Sequence, residues 1–323
     1  MDASFPATAG TPAVPATMRA FGFARYGGPD VLEYYTAPVP TPGPGQLLVR
    51  VLASGLNPAD IKVRAGKRAG VFDVTFPMAM GRELSGTVVA RGAEVTGFAV
   101  GDAVFGSPSA GVGSLAEYTV LDAAATVPVP PSLSAVQAAC VPVAVGTALD
   151  VLDHLYLAPG DVFVVIGAGG GVGSAACQLA VSRGARVIGV ASEGKHDLVA
   201  GLGARPVASG DGWVDRVRAE AGGPVVALLD MVGGDVLHEA LDLGSEETQV
   251  VSIADPVQAG KAGGGGVTRR RTREAYATAA RLVVDGAVRP LIRTEPFSRA
   301  AEAYAEIERG HVGGKIVVTF DAE

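Results

Sequence analysis

The sequence has few cysteines, few aromatic residues and little charge. Cys140 and Cys177 are the only cysteines among 323 residues, which excludes a disulfide scaffold and a zinc site built from three or four thiolates. A reduced pair, as in a cytoplasmic protein, is expected rather than a single bridge. Aromatic residues make up 6% and charged residues 18%, with a net charge of −7. This composition argues against nucleic acid as a partner.

Long apolar runs are missing as well. No stretch of the sequence approaches the ~20 apolar residues that a membrane span requires, so no membrane partner is expected. Residues 1–17 are rich in Ala, Pro and Thr and contain no basic region. They therefore differ from a signal peptide, and we expect them to form a disordered tail.

Glycine, by contrast, is abundant, with 45 residues, or about twice the usual share of ~7%. An excess of this size indicates tight turns, close backbone approaches or mobile segments. Hydrophobic residues make up 48% of the chain, which excludes disorder as its main state. At roughly 100–200 residues per domain, the length predicts two domains.

From Met18 to about Pro131 the sequence consists of short β-like runs separated by Gly, Pro and Asp clusters. From about Ser134 strands and helices alternate, and the first of these strands is the continuous apolar run 161–166. Such a run is typical of a strand buried on both faces of a parallel sheet. The alternation predicts an α/β fold with a doubly wound parallel sheet. The glycine run 263–266 is expected to form a flexible loop.

The strongest local signal is the glycine-rich segment 167–173, which follows a predicted buried strand and opens a predicted helix. Its spacing from Ala168 is A-x-G-x-x-G. Glycines here let backbone N–H groups approach a pyrophosphate, and the helix N-terminus favours its negative charge. A plain strand–helix turn is the alternative, but the position in a strand–helix–strand unit favours dinucleotide binding. The candidate contacts are Ala168, Gly170, Gly171, Val172 and Gly173.

The choice of dinucleotide depends on the end of the next predicted strand. NAD sites usually place Asp or Glu there to bind the ribose hydroxyls. Here Ser192 stands at that place, and Lys195 follows one turn later. A hydroxyl and a cation suit the 2′-phosphate of NADPH, which is therefore favoured over NADH, although Glu193 binding the ribose is the alternative. Val232 and Ile253, near the ends of two later strands, complete the candidate cofactor site.

Several motifs occur together in an order that resembles a known family. They are GRELSG at 81–86, VGDAV at 100–104, residues 142–148 and the turn 168–173. In this order they resemble the medium-chain dehydrogenase/reductases. NPAD at 57–60 and GKIVV at 314–318 point to the zinc-independent, quinone-oxidoreductase-like branch of that superfamily. The resemblance extends from Met18 to Phe320.

The resemblance implies a Rossmann dinucleotide-binding domain inserted into a GroES-like, β-rich catalytic domain, with a cleft between them. The catalytic domain is expected to comprise residues 18–138 and 288–323, and the Rossmann domain residues 139–287. A homodimer formed through an edge strand of the Rossmann sheet is also implied.

The sequence departs from the zinc enzymes of this superfamily at their metal ligands. Arg82 stands where they have a histidine, and a guanidinium cannot coordinate a cation. Asn57 stands where they have a cysteine, and Cys140 is out of register with the third ligand. A catalytic zinc is therefore not expected, and neither is alcohol oxidation by Lewis-acid activation.

Without a metal, the expected chemistry is hydride transfer from NADPH to a small-molecule quinone or to the β-carbon of an α,β-unsaturated carbonyl. The charge that develops on the carbonyl oxygen needs hydrogen-bond donors, and Asn57 and Arg82 are the candidates. The alternative for Asn57 is a role as a turn residue. The alternative for Arg82 is an ion pair with one of three acids: Glu83, Glu117 or Asp60.

Further candidates come from the resemblance. Asp60 matches an acid beside the family's active site and is expected to orient rather than react. Thr147 resembles a residue near the nicotinamide ribose, or is an interior helix hydroxyl. Lys315 is a candidate to reach a cofactor phosphate, or is a strand-edge lysine. The cluster Arg269–Arg273 is a candidate to bind a phosphate or an acidic substrate, or is a solvated charge run.

Three functions remain open at this point. The leading one is an NADPH-dependent, zinc-independent reductase of quinones or enones in the cytoplasm. The second is a pathway-specific enoyl reductase or a redox-silent cyclase of secondary metabolism. The third is a non-catalytic NADPH-binding protein, because folds are sometimes reused without catalysis.

Overall fold

The structure, a computed structural model, describes Phe5, residues 13–310 and residues 312–320. Of the tail expected over residues 1–17, residues 1–4 and 6–12 lie outside the described part of the chain. The first strand already begins at Thr17.

The described residues fall into two compact units, and each unit is assembled from separate chain segments. The first holds the described residues up to Val143, the segment Arg271–Val284 and the described residues from Ile292 onward. The second holds Ala144–Arg270 and Asp285–Leu291.

The elements are numbered along the chain. The strands are β1 (Thr17–Phe23), β2 (Leu32–Pro38), β3 (Gln46–Gly55), β4 (Met78–Ala79), β5 (Leu84–Arg91), β6 (Ala103–Gly106), β7 (Tyr118–Asp122), β8 (Val127–Pro128), β9 (Val162–Ile166), β10 (Arg186–Ala191), β11 (Arg205–Ala208), β12 (Val225–Asp230), β13 (Gln249–Ser252), β14 (Ile292–Pro296) and β15 (Lys315–Thr319). The helices are α1 (Pro58–Arg64), α2 (Ala135–Ala138), α3 (Gly146–His154), α4 (Gly171–Ser182), α5 (His196–Gly201), α6 (Trp213–Ala221), α7 (Gly234–Ala240), α8 (Pro256–Lys261), α9 (Arg273–Val284) and α10 (Ala300–Glu308).

The first unit is built from two sheets. One has the order β2-β1-β4, and the other has the order β14-β15-β3-β5-β6-β8, with β7 also paired to β3. Strand β3 is nearly all buried because it has neighbours on both sides. Residues from the strands and from α10 share one core, which includes Phe21, Leu47, Met80, Leu84 and Tyr304.

Helix α9 belongs to this first unit, where it packs beside β8 and the turn that precedes it. The Tyr276 hydroxyl on α9 lies 2.8 Å from the Ser107 hydroxyl. The segment 139–287 expected for the Rossmann domain includes this helix, so the structure differs from that boundary. The sequence does not predict this difference, because an amphipathic helix shows which of its faces is apolar but not which core will bury that face.

The second unit is a five-stranded parallel sheet in the order β11-β10-β9-β12-β13. Strand β9 is buried at every residue because it lies at the centre of the sheet and is covered on both faces. After β11 the chain crosses to the other side of β9, where β12 and β13 follow, so the strand order reverses between β9 and β12. In open parallel sheets, ligands bind at the carboxyl ends of the strands beside such a crossing.

One segment is longer and more apolar than the sequence pattern indicated. Ala135–His154 has 20 residues with a mean hydropathy of 1.7 in its most apolar window, so by length and composition it qualifies as a membrane span. The expectation that no stretch approaches such a length is therefore wrong. In the structure 89% of that window is buried inside the protein, as in a core helix.

Candidate active site

A buried polar network lies in the first unit, where β3 ends and β5 and β15 begin. Lys315 Nζ lies 2.5 Å from both Glu83 Oε1 and Asn57 Oδ1. Asn57 Nδ2 donates to Glu83 Oε1 at 3.0 Å, and the backbone N–H of Val143 donates to Glu83 Oε2 at 2.8 Å. Glu83 is 0% and Lys315 5% exposed, so each charge depends on the other for compensation.

This network corrects the role expected for Lys315. Its ammonium is held between Asn57 and Glu83 inside the first unit, which does not support a contact with a cofactor phosphate. The sequence pattern indicates Glu83 only as a partner of Arg82 and does not predict its central place in this network. A Cβ on Gly55 would lie 2.5 Å from Glu83 Oε1. The glycine at this position is therefore the one feature of the local sequence that indicates the close approach of Glu83.

Asp60 lies in the first turn of α1, directly behind Asn57. Its Oδ2 accepts from the Asn57 backbone N–H at 2.8 Å and from the Tyr304 hydroxyl at 2.9 Å. Its Oδ1 is buried and has no hydrogen-bond partner among the described residues. Burial raises the pKa of Asp60 to about 6, although the charges of Arg82 and Lys315 and the two donors lower it. Nothing in the sequence pattern indicates Tyr304, which lies 244 residues away along the chain.

Arg82 is half-buried, and its guanidinium carbon lies 3.9 Å from the centre of the Phe72 ring. It forms no hydrogen bond or salt bridge with another described residue. Two of the acids considered as partners are engaged elsewhere: Glu83 with Lys315 and Glu117 with Arg19. Burial lowers the pKa of Arg82 to about 10, while the charge of Asp60 raises it. Both side chains line a small cavity together with Phe72 and Gly81.

The glycine turn of the second unit connects β9 to α4. Gly167 has a φ of +84°, and a Cβ on Gly173 would lie 2.3 Å from the Gly167 carbonyl oxygen. Gly170 caps α4 without any side-chain hydrogen bond. The first-turn amides of α4 thus keep the arrangement that binds a pyrophosphate, and the residues present fit a dinucleotide.

Ser192 and Lys195 follow β10 in the same unit. A Cβ on Gly169 would lie 2.6 Å from Lys195 Cδ, so the lysine side chain extends across the glycine turn. Partial burial lowers the pKa of Lys195. Val232 stands over the start of the turn, where a Cβ on Gly167 would lie 3.5 Å from its Cγ2.

Comparison with known proteins decides the family. Residues 43–131 match the alcohol dehydrogenase GroES-like domain, and residues 202–318 match the family described as zinc-binding dehydrogenase. The chain is 31% identical to the chloroplastic NADPH-dependent alkenal/one oxidoreductase of Arabidopsis thaliana, over 94% of this chain and 80% of that protein. The chain belongs to the zinc-independent, quinone-oxidoreductase-like branch of the medium-chain dehydrogenase/reductases.

Two further similarities agree with this assignment. The chain is 30% identical to the quinone oxidoreductase of Mus musculus, over 91% of this chain and 95% of that one. The solved quinone oxidoreductase of Coxiella burnetii superposes with a TM-score of 0.85 at 31% identity, over 94% of this chain and 99% of that chain. The expected fold class, a Rossmann sheet with a GroES-like domain, is confirmed. This medium-chain reductase is an oxidoreductase that uses a nicotinamide cofactor.

The remaining cofactor candidates of this reductase are arranged around a residue that sequence analysis missed. Asp230, buried at the end of β12, accepts from the backbone N–H groups of Val232 and Gly233 at 2.8 and 2.9 Å and from the Ser252 hydroxyl at 2.6 Å. Ile253 donates its backbone N–H to the Asp230 carbonyl at 2.9 Å. Asp230 thereby connects the loops that follow β12 and β13. The feature of the sequence that could have indicated its role is a single acidic residue at the end of an otherwise apolar strand.

Thr147 is buried in the first turn of α3, in the second unit. Asn57 belongs to the first unit, where it caps α1. Asn57 therefore has both the expected turn role and a place in the buried network. Its backbone N–H donates to Asp60, while its side chain contacts Glu83 and Lys315.

The arginine cluster of this reductase is not one phosphate-binding patch. Arg269 and Arg270 both pair with Asp150 on α3, whose side chain is 1% exposed. Arg273 lies over the Phe98 ring at 4.9 Å and donates to the Ala123 carbonyl at 2.6 Å. The cations of Arg269, Arg270 and Arg273 are thus held within the protein, whereas Arg271 has no such partner among the residues that the structure describes.

The glycine run is also more ordered than a flexible loop. Gly265 donates its N–H to the Val250 carbonyl at 3.0 Å, and its carbonyl accepts from the Ser252 N–H at 2.8 Å. A Cβ on Gly264 would lie 2.3 Å from the Val250 carbonyl oxygen. The run therefore lies flat along β13, and the absence of side chains permits this close approach.

The donor set of this reductase does not fit a catalytic zinc. Among the residues that the structure describes, no three His, Cys, Asp or Glu side chains are grouped to hold a metal. Arg82 and Asn57 occupy the positions that match ligands in the zinc enzymes. Cys140 is a buried thiol that donates to the Val136 carbonyl, and burial raises its pKa well above the ordinary value.

Proposed function

We propose that this medium-chain reductase is an NADPH-dependent, zinc-independent reductase of quinones or α,β-unsaturated carbonyls. The observation that carries the proposal is Arg82. Its half-buried guanidinium is held over Phe72 beside a small cavity, and its donors are not engaged by another described residue. A fixed cation of this kind stabilises the negative charge that develops on a carbonyl oxygen during reduction.

The reduction requires a hydride at one end of the conjugated system and a proton at the other. The β-carbon gains a hydride with its electron pair, the C=C π electrons move towards the carbonyl oxygen, and a proton from solvent then adds at the α-carbon. A quinone takes up the same hydride and proton to give the hydroquinone. The nicotinamide supplies the hydride when bound and is oxidised, while Arg82 stabilises the oxygen anion.

NADPH is proposed over NADH because of Ser192 and Lys195. The hydroxyl and the ammonium stand at the end of β10, and the lysine extends across the glycine turn. A phosphate there gains charge-assisted hydrogen bonds that a ribose hydroxyl does not provide.

The two buried, unbridged thiols suit the reduced cytoplasm in which we place the enzyme.

The substitution Arg82→Met tests the reaction. Oxidation of NADPH at 340 nm with a panel of quinones and enones should show kcat/KM lower by about 10²–10³-fold, and Arg82→Lys should restore part of it. Arg289→Met, which removes an exposed arginine of the second unit, is the matched control and should leave kcat/KM unchanged. Chelators should leave the rate unchanged.

Three outcomes would overturn this proposal. Tight NADPH binding without turnover of any quinone or enone would favour the non-catalytic alternative. Product formation without net NADPH consumption would favour the redox-silent cyclase. An activity that is lost on chelation and restored by zinc would show that the reaction depends on zinc.

The substitution Lys195→Gln tests the choice of cofactor. The ratio of kcat/KM with NADPH to that with NADH should fall about tenfold, because one charge-assisted contact to the 2′-phosphate is lost. Lys261→Gln, at an exposed position in the last turn of α8, is the control. An unchanged ratio would assign the preference to other residues and contradict the role of Lys195.

A further inference from the structure

One arginine of the second unit fastens the loop that follows strand β11. The Arg216 guanidinium donates to the Ala208 carbonyl through Nε at 3.3 Å and through Nη2 at 2.9 Å. It also donates to the Gly210 carbonyl at 3.1 Å and to the Asp211 carbonyl at 2.8 Å. Arg216 lies on α6, the helix that comes next in the chain. The loop 208–211 is therefore held in one shape by a single side chain from outside it.

This loop lies beside the place where the sheet of the second unit meets the ribose of a dinucleotide. Ala208 of β11 pairs with Ala191 of β10, and the Ser209 backbone N–H donates to the Ala191 carbonyl at 2.9 Å. Ser192 is the next residue after β10. Ser209 and Ser192 therefore leave neighbouring strands at the same edge of the sheet, where folds of this kind bind the ribose.

The loop presents donors rather than acceptors to a ligand at this edge. Its carbonyls are bonded to Arg216, and that of Gly210 also accepts from the Trp213 backbone N–H at 3.0 Å. Ser209 and Ser192 are exposed, and their hydroxyls form no hydrogen bond with another described residue. A phosphate group has three strong acceptor oxygens, so this arrangement suits a phosphate.

Two acids stand in the same region. Glu193 follows Ser192, and Asp211 belongs to the loop. Both are exposed, and neither forms a salt bridge with another described residue, so water and salt screen their charges. Lys195, half-buried across the glycine turn, and Arg216 are the cations of this region. The acids therefore do not exclude a phosphate here.

We infer that Arg216 is a positioning residue for the choice of cofactor: it holds the loop 208–211 so that the Ser209 hydroxyl donates, together with Ser192, to the 2′-phosphate of NADPH. The inference rests on the proposed function, which places that phosphate at Ser192 and Lys195, and it adds a second hydroxyl and the residue that positions it. Arginine suits this role because its planar fork binds several carbonyls at once, whereas lysine presents one compact charge.

The test uses two nucleotides that differ only in the phosphate concerned. 2′,5′-ADP carries the 2′-phosphate and 5′-AMP does not, and neither has a nicotinamide, so binding is measured without turnover. Calorimetry with the full chain gives the ratio of the affinity for 2′,5′-ADP to that for 5′-AMP. Arg216→Gln and Ser209→Ala should each lower this ratio about tenfold. Arg218→Gln removes another exposed arginine of α6 that donates to a backbone carbonyl, and it should leave the ratio unchanged.

Two further variants separate positioning from charge. Arg216→Lys keeps the charge without the fork, so it should recover only a small part of the lost ratio. Full recovery would show that the charge alone acts on the phosphate and would overturn the positioning role. In the Ser209→Ala background, Arg216→Gln should lower the ratio by no more than about twofold, because the arginine acts through Ser209. Losses that multiply would contradict this path.

One measurement needs no variant. Trp213 is the only tryptophan of the chain, is buried, and donates its backbone N–H to the Gly210 carbonyl of the loop. Its fluorescence therefore reports on the loop. Saturating 2′,5′-ADP should change the emission of the unmodified protein more than saturating 5′-AMP does. Equal changes would show that the 2′-phosphate does not engage the loop.

The outcomes separate this inference from the proposed function. If the unmodified protein binds both nucleotides equally, the proposed NADPH preference fails, and the inference fails with it. If the unmodified protein prefers 2′,5′-ADP and Arg216→Gln keeps that preference, only the role of Arg216 is wrong. Neither result depends on the reduction of a quinone or an enone, so a failure of the proposed reaction is recognised separately.

Discussion

At the scale of single residues, the first unit contains more buried charge than its composition indicates. Glu83 and Lys315 neutralise each other, and Asn57 bridges them. Within the described part of the chain, Asp60 forms no salt bridge and is held instead by the Asn57 backbone and the Tyr304 hydroxyl. Only the neutral form of a buried carboxyl avoids the cost of desolvation, which explains why its pKa is raised.

The substitution Asp60→Asn should change how stability depends on pH. The folded-state pKa of about 6 lies above the ordinary 3.8, so the folded protein holds a proton that the unfolded chain has lost. The free energy of unfolding of the parent should therefore fall, relative to the variant, as the pH rises from about 4 to about 6. The difference is on the order of 3 kcal/mol. Urea unfolding at several pH values measures it, and parallel curves for the two proteins would contradict the raised pKa.

At the scale of elements, apolar runs located the central strands of the second unit. The run 161–166 forms β9 over Val162–Ile166, because five consecutive apolar residues are typical of a strand that is covered on both faces. Strand β11 and helix α6 were not expected. Strand β11 has four residues, lies at the sheet edge and contains Pro206, while α6 exposes much of its surface. A short edge strand buries little, so its sequence carries a weak periodic signal, whereas α6 does bury Trp213, Val217 and Ala221 at helical spacing.

The substitution Gly173→Ala should disrupt the start of α4. Its Cβ would lie 2.3 Å from a backbone carbonyl oxygen, which cannot rotate away as a side chain does. We expect a lower melting temperature and NADPH affinity weaker by about tenfold or more, because the amides of the turn are displaced. Fluorescence titration and thermal unfolding measure these changes.

A matched control exists within the same unit. Gly201 ends α5, and a Cβ there would meet nothing within 4 Å. Gly201→Ala should leave NADPH binding unchanged and raise stability by up to about 1 kcal/mol. Equal losses in both variants would show that the close approach at Gly173 is not what matters.

At the scale of the whole molecule, each unit is closed by chain segments that are far apart in the sequence. Strand β15, almost at the end of the chain, pairs with β3 and completes the sheet of the first unit. The sheet of the second unit ends at β11 on one side and at β13 on the other. Edge strands carry backbone groups that can pair with another chain.

We propose a homodimer that forms through an edge strand of the second unit. Sedimentation velocity at micromolar concentration should therefore give the mass of two chains, with and without NADPH. A single-chain mass at all concentrations would contradict the dimer. The result does not depend on activity, so it tests the assembly separately from the reaction.

The sequence by itself determined the features that depend on neighbouring residues. These are the doubly covered strand 161–166, the glycine turn 167–173 and the replacement of zinc ligands by Asn57 and Arg82. Each follows from a local requirement: burial on both faces, close backbone approach, or the chemistry of one side chain. The order of the motifs along the chain also indicated the family and, through it, the two expected domains.

Only the tertiary structure decided which charges meet. Lys315 and Asn57 are 258 residues apart, and their contact exists because the ends of β3, β5 and β15 converge in one sheet. Lys315 thereby engages Glu83, and Arg82 is left with its donors available beside Phe72. A sequence lists the charged groups, but pairing in a buried site depends on distance and desolvation, and these are properties of the fold.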